Sequence, residues 1–209
     1  MVHARTSAAV GLALIAAVTA GCSGAGSHSG STTSSASAGG GNAHANPAPT
    51  ESNPPGDIPD NQVYVAYRPT SGFTGFTVKV PEGWARTDKG TTTVFTDKLN
   101  TVRITAGTAS AAPTVGSVTH TVVPQLKAHV AQFASPKVSE VTRHASRVVR
   151  LTYEGDSVKD PVTGKVVRDA FERYAFYRHG HEVALTLSGP VNADNVDPWR
   201  IVSDSFAWR

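Results

Sequence analysis

The stretch FTVKVPEGW, residues 76–84, decides the fold prediction because it contains a strand and the turn that ends it. Its first five residues alternate apolar and polar side chains, which is the period of a half-buried β-strand. Pro81 ends that strand, and residues 81–83 fit a tight turn that directs Trp84 back toward the sheet. This stretch therefore predicts a sheet that buries one face.

The same alternation recurs on both sides of this stretch and predicts most of a sheet. Further strands are predicted at residues 63–67, 92–96, 101–106, 137–144, 147–154, 166–178 and 182–187. Spacings of three and four predict a helix over 114–133, which Pro124 kinks or begins. A last helix begins near Asp197, which is expected to cap it. Together these elements predict an α+β domain whose sheet is mostly antiparallel, with helices on at least one face.

The only cysteine, Cys22, follows a segment with the parts of an export signal. Residues 1–21 contain a short basic start and an apolar core over 8–18, which is too short to span a bilayer. Ala20, Gly21 and Cys22 match a bacterial lipobox, although Thr19 stands where that motif favours Leu. The sequence predicts a signal peptide over 1–21 and a palmitate-type lipid anchor on Cys22. The alternative is a free thiol in an uncleaved or merely secreted tail.

Residues 22–62 differ in composition from everything after them. After Cys22 they contain no aromatic residue, Lys or Arg, and are rich in Ser, Gly and Pro. Such a segment cannot bury enough apolar surface to offset the entropy lost on ordering. We therefore predict a disordered tether over 22–62 and one folded domain over 63–209.

Charge and cysteine content exclude some classes of protein. The formal net charge is +3, and removal of residues 1–21 would take away only Arg5, which leaves +2. This balance is too mild to indicate a nucleic-acid partner. With one cysteine, the fold receives no internal disulfide and requires a conventional core.

The tether, the lipobox and residues 76–84, followed by a central helix, a meander of strands and a final helix, resemble the PsbP-like superfamily. Within it, the chain is similar to the LpqN- and LpqT-type lipoproteins of actinobacteria, and the resemblance covers nearly the whole chain. The resemblance implies a three-layer α/β/α sandwich around an antiparallel sheet. It also implies a binding or adaptor role rather than catalysis, and it supplies no catalytic residues.

Two groups of side chains are weak candidates for metal ligands. The first is a hairpin tip made by His179, His181 and Glu182, and the second is an acidic group around a loop, made by Glu154, Asp156, Asp160 and Asp169. An exposed hairpin tip explains the first group, and Lys159 and Lys165 interrupt the second. In the tether, Gly24, Gly26, Gly30, His28 and His44 lack the strand and helix that a phosphate loop or metal site needs. We therefore predict no metal, no cofactor and no catalytic residue.

Two other sets of side chains are candidates for a binding surface. The first set is basic and lies on the later strands: Arg143, Arg147, Arg150, Arg168, Arg173 and Arg178. Ion pairs with Glu154, Asp169 and Glu172 account for them, and the alternative is a basic strip for anionic glycans or lipid headgroups. The second set is aromatic, and core packing explains it better than a carbohydrate platform: Trp84, Tyr174, Phe176 and Trp199.

Three functions from different classes follow. The favoured one is a membrane-anchored accessory module on the extracytoplasmic face, which binds an envelope protein, glycan or lipid. The second is a structural or adhesive surface protein. The third is a hydrolase whose site forms only in three dimensions. An aromatic-lined cleft would favour binding, whereas a nucleophile hydrogen-bonded to a histidine would favour the enzyme.

Overall fold

The computed structural model describes residues 54–144, 146–160 and 163–209. The predicted signal peptide, Cys22 and the predicted tether up to residue 53 lie outside the described residues. Within those ranges, none of the helices has the length and hydropathy needed to cross a membrane.

Seven antiparallel strands form the larger of two sheets. In chain order they are β3 (Ala85–Lys89), β4 (Thr92–Asp97), β5 (Asn100–Thr108), β6 (Ala134–Arg143), β7 (Ser146–Asp156), β8 (Arg168–Arg178) and β9 (His181–Pro190). Their order in the sheet is β3-β4-β5-β9-β8-β7-β6. The predicted strands of the second half are all present as β6 to β9, and the sequence missed β3.

The strand that decided the fold prediction belongs to a separate, smaller sheet. That sheet contains β1 (Tyr64–Tyr67), β2 (Phe76–Pro81) and β10 (Ala207–Trp208), in the order β1-β2-β10. All of its pairs are antiparallel. Phe76, Val78 and Val80 are buried, as their alternation predicted.

The first helical segment lies within the range predicted for it, 114–133, but ends before that range does. It consists of α1 (Val115–Ser117), a π-helical stretch (Val118–Val122) and α2 (Val123–His129). Thr114 begins it because its side chain accepts a hydrogen bond from Ser117 N and its own N–H is bonded to Ser117 Oγ, a capping box. It ends before Val130, which is extended.

The last helix, α3, spans Val196–Asp204. Its N-cap residue is Asn195, and Asp197, which was predicted to cap it, lies in the first turn instead. The Asn195 side chain forms no capping bond because it is hydrogen-bonded to residues before the first strand.

The large sheet packs on both of its faces. Val148 and Val149 are adjacent on β7 and therefore point to opposite faces. Val148 belongs to the main core, which β2, α3 and the middle of the large sheet share. Val149 belongs to a second core under the π-helical stretch and α2.

The fold is α+β with the sheets dominant, as predicted at the coarser level. The three-layer α/β/α sandwich is not confirmed, because the layer over the main core contains the small sheet as well as α3. Residues before Val63 also take part in packing, since Ile58 is only 6% exposed. Its N–H donates to Asn195 Oδ1 at 2.8 Å.

A candidate binding cleft

The described residues form a small cleft between the loop 69–73 and the hairpin of β3 and β4. Tyr67, Phe73 and Phe76 contribute aromatic surface to it, and Arg86 and Asp88 contribute polar groups. Its volume is about 30 Å³, which accommodates about two waters or one small polar group. It lies at the end of the large sheet where β5 ends and β9 begins, hereafter the cleft end.

Arg86 is held in place from two sides. Its guanidinium carbon lies 5.1 Å from the centre of the Tyr67 ring and 5.9 Å from that of Phe95. Its Nε lies 3.0 Å from Asp88 Oδ2. Cation–π contact and ion pairing together orient the guanidinium plane, although 40% of the side chain remains exposed. The result is an accessible but positioned donor group.

Asp88 connects this arginine to the core. Its Oδ1 accepts a hydrogen bond from Thr93 Oγ1 at 2.6 Å, and the Thr93 hydroxyl is also bonded to the Tyr67 hydroxyl at 2.9 Å. The Thr93 hydrogen bond, and after it Arg86, lower the pKa of Asp88. The carboxylate is therefore ionised at neutral pH. Two buried side chains, Tyr67 and Thr93, thus fix polar groups on an exposed edge strand.

The cleft presents paired polar groups beside aromatic surface. It places a hydrogen-bond donor and an acceptor side by side above aromatic rings, and their charges cancel. In the part of the chain that the structure describes, no Ser or Thr hydroxyl is hydrogen-bonded to a histidine ring. No group of metal-binding side chains occurs in that part either.

A second cavity of about 110 Å³ lies at the same end of the sheet, on the opposite face. Ala112 and Pro113 line it together with Ala175 and Tyr177, and Arg147 contributes to its wall. Pockets for small molecules usually measure at least about 300 Å³. Both cavities are smaller, so they suit a partner that contacts the surface and inserts only a small group.

The histidine candidates for a metal site are not brought together. His179 lies in the turn before β9, where its backbone has φ 47°. His181 stacks on Phe73 with ring centroids 3.9 Å apart. Glu182 points to the opposite face and pairs with Arg173 at 3.5 Å.

The acidic candidates for a calcium site do not converge. Glu154 and Asp156 both face Arg168, at 3.1 and 3.9 Å. Asp160 accepts hydrogen bonds from the backbone and side chain of Thr163. Asp169 pairs with Gly155 in the sheet and so lies on the face opposite to Glu154 and Asp156.

Five of the six arginines form ion pairs among the described residues, on two faces of the sheet. The pairs are Arg143–Asp204, Arg147–Glu140, Arg150–Glu172, Arg173–Glu182, and Arg168 with both Glu154 and Asp156. Glu154 and Glu172 are partners that the sequence analysis named. Asp169, the third, is 4% exposed and its Oδ1 has no hydrogen-bond partner in the described residues. This arrangement favours ion-pair ladders over a basic strip.

The aromatic candidates are core residues, with Tyr174 0% and Phe176 1% exposed. Trp84 and Trp199 pack against the same core and are partly buried. Sequence reasoning missed the cleft residues, above all Arg86 and Asp88. Their spacing of two places both on one face of a strand, but the stretch has too few apolar residues to predict a strand.

The comparisons with known proteins give distant structural similarities. No family model matches the chain, and no curated protein matches it. The solution structure of cyanobacterial PsbP (CyanoP) from Synechocystis sp. PCC 6803 aligns with 75% of this chain and 100% of its own, at 16% identity and a TM-score of 0.45. LpqN of Mycobacterium tuberculosis, described as involved in cell envelope biogenesis, aligns over 69% of this chain and 90% of its own, at 14% identity and a TM-score of 0.43.

A protein from Bacteroides thetaiotaomicron aligns with 65% of this chain, at 13% identity and a TM-score of 0.44. The alignment covers only 46% of that protein, so this chain spans less than half of its length. These matches are similarities in the path of the chain, and they assign neither a family nor an activity. Membership of the LpqN type stays a prediction.

Proposed function

We propose that this protein is a lipoprotein, anchored by Cys22 to the extracytoplasmic face of the cell membrane, that serves as a non-catalytic accessory module. Its partner is an envelope component, whether protein, glycan or lipid, and it binds at the cleft beside Arg86. A PsbP-like three-layer arrangement of the LpqN type is part of this proposal. The lipobox and the composition of residues 22–62 support the anchor.

One observation carries the binding role. Arg86 is oriented by Asp88 and by two aromatic rings, yet it remains 40% exposed. Ordering a long side chain at the surface costs conformational entropy, and an exposed ion pair by itself contributes little stability. Preorganisation of this kind reduces the entropy lost when a partner binds.

Photo-crosslinking in intact cells tests the binding role. A photoreactive residue at Thr70, on the rim of the cleft, should capture the same partner in repeated experiments. Arg86→Ala should reduce that capture at least about tenfold, because a preorganised donor is lost. Arg200→Ala is the matched control, since Arg200 is an exposed arginine on α3 that also pairs with an aspartate. Equal capture by the two variants would contradict a role for the cleft.

Membrane fractionation tests the anchor separately. The wild-type protein should sediment with membranes and enter the detergent phase on Triton X-114 partitioning. Cys22→Ala should move to the aqueous phase of the Triton X-114 partition, because the lipid can no longer be attached. A Cys22→Ala protein that fractionates like the wild type would exclude lipid anchoring at this position.

A further inference from the structure

The described residues of the loop that joins β7 to β8 include two exposed valines. Val158 is 85% and Val166 is 51% exposed. Backbone hydrogen bonds bracket them, from Ser157 N to Val167 O at 2.8 Å and from Asp160 N to Lys165 O at 2.9 Å. These bonds continue the hairpin beyond the sheet and place the two valines across from each other. The two described arms of this loop therefore present apolar surface to solvent.

Two lysines stand next to the valines. Lys159 follows Val158, Lys165 precedes Val166, and both side chains are exposed. Apolar side chains beside lysines are typical of a surface that enters the headgroup region of a bilayer. The valines would lie at the boundary of the acyl chains, while the lysine stems reach back to the phosphates.

The loop lies at the end of the large sheet opposite to the cleft end. Its base contacts the turn after β9, because Val191 N donates to Arg168 O at 3.1 Å. In that turn, Asp194 N donates to Asp57 Oδ1 at 2.9 Å. The chain therefore enters the domain from residue 54 beside the base of this loop. β5, with nine residues, separates the two ends by about 30 Å.

We propose that Val158, Val166, Lys159 and Lys165 contact the surface of an anionic lipid bilayer. This contact rests on the proposed anchoring for its orientation and adds a second, peripheral attachment to it. A domain that touches the bilayer at this end turns its cleft end away from the membrane. The cleft is then presented to partners in the envelope instead of to the lipid.

Vesicle sedimentation with an unlipidated protein tests this contact. The processed chain from position 22, carrying Cys22→Ala, should sediment with phosphatidylcholine vesicles that contain phosphatidylglycerol at about one part in three. Pure phosphatidylcholine should bind it more weakly. The double variant Val158→Ser/Val166→Ser should lower the partition coefficient at least about tenfold, and each of Lys159→Ala and Lys165→Ala about fivefold.

Matched controls come from other exposed positions. Val65→Ser, on β1, and Lys127→Ala, on α2, should leave the partition coefficient unchanged. A loop variant that binds vesicles as well as its control would overturn the proposal. The proposal would also be overturned if the parent chain showed no affinity for vesicles and the loop variants instead lost a crosslink to a protein. Neither result affects the anchor, which the fractionation of the lipidated protein tests independently.

Discussion

Asp169 is a buried carboxyl group whose cost to the fold depends on pH. It is 4% exposed, its Oδ1 has no hydrogen-bond partner in the described part of the chain, and burial raises its pKa from 3.8 to about 6. The folded state therefore holds this proton more tightly than the unfolded state does. Ionisation of Asp169 destabilises the fold, and this penalty grows as the pH rises from about 4 to about 6 and is complete above that.

We expect Asp169→Asn to remove this pH dependence. At pH 7.5 the variant should be more stable than the wild type by about 1 to 3 kcal/mol, because a shift of one pKa unit corresponds to about 1.4 kcal/mol. Near pH 4 the two proteins should have similar unfolding free energies. Urea unfolding at both pH values measures the difference, and Asp97→Asn, at an exposed aspartate, is the control. An unchanged pH dependence in Asp169→Asn would exclude this role for Asp169.

Gly189 occupies a position where no side chain fits. A Cβ there would lie 2.3 Å from Asn100 Oδ1 and 2.9 Å from Asn195 Nδ2. Those two amides bond to each other and to Gly56 O. Gly189→Ala should lower the free energy of unfolding by about 1 to 3 kcal/mol.

Gly107 on β5 provides the matched control, since a Cβ there meets nothing within 4 Å. Gly107→Ala should be neutral or slightly stabilising, because alanine has less conformational freedom in the unfolded chain. Thermal unfolding followed by circular dichroism compares the two. Equal melting temperatures would show that the asparagine cluster accommodates the methyl group without loss.

At the scale of elements, the first helical segment depends on its cap. The segment begins with Val115, Gly116 and Ser117, which are weak helix formers, and continues into a π-helical stretch. Thr114→Ala should therefore cost about 1 kcal/mol of stability in chemical denaturation. Thr121→Ala, at an exposed threonine in the same segment, should cost nothing. If both substitutions have the same effect, the capping box is not what begins the segment.

Local patterns predicted the strands with a strong alternation and failed where the pattern was weak. β7 and β9 alternate or run apolar along their length, and both were predicted. β3 contains Arg86, Thr87, Asp88 and Lys89, and all of its residues are exposed. It therefore has no apolar face from which a strand could be predicted. It forms because β4 supplies the hydrogen bonds and because charged residues are tolerated on an edge strand.

The helix boundary at Val130 could not be predicted from periodicity for a different reason. Val130 continues the helical spacing and does pack against the second core. Its side chain also lies against Gly155, where a Cβ would approach it to 2.3 Å. This close approach fits an extended Val130, and the glycine that allows it is 25 residues away in the sequence. Long-range contact, not local propensity, ends the helix.

At the scale of the whole molecule, the sequence predicted an α+β domain but not the division of its strands between two sheets. The alternation in residues 76–80 shows that one face is buried, but it carries no information about which strands lie beside β2. The candidate cleft could not be predicted from the sequence for the same reason. Tyr67, Arg86 and Thr93 come from three strands, and only the packing of the small sheet on the large one brings them together.

The start of the folded domain provides the last prediction, since residues before Val63 pack on it. Ile58 is buried, and its backbone N–H and the carbonyl of Gly56 are bonded to the buried Asn195. A chain that begins at Val63 loses this buried side chain and leaves amide groups of Asn100 and Asn195 without partners. Its unfolding free energy should fall by about 3 to 6 kcal/mol relative to a chain that begins at Pro54.

A chain that begins at Pro49 is the control for truncation itself and should match the one that begins at Pro54. Hydrogen exchange should locate the loss, because the chain that begins at Val63 would expose the amides at the end of β9 and the first turn of α3. Equal stability of all three chains would show that residues 54–62 belong energetically to the tether. A loss confined to the shortest chain would place the boundary between tether and domain before Gly56.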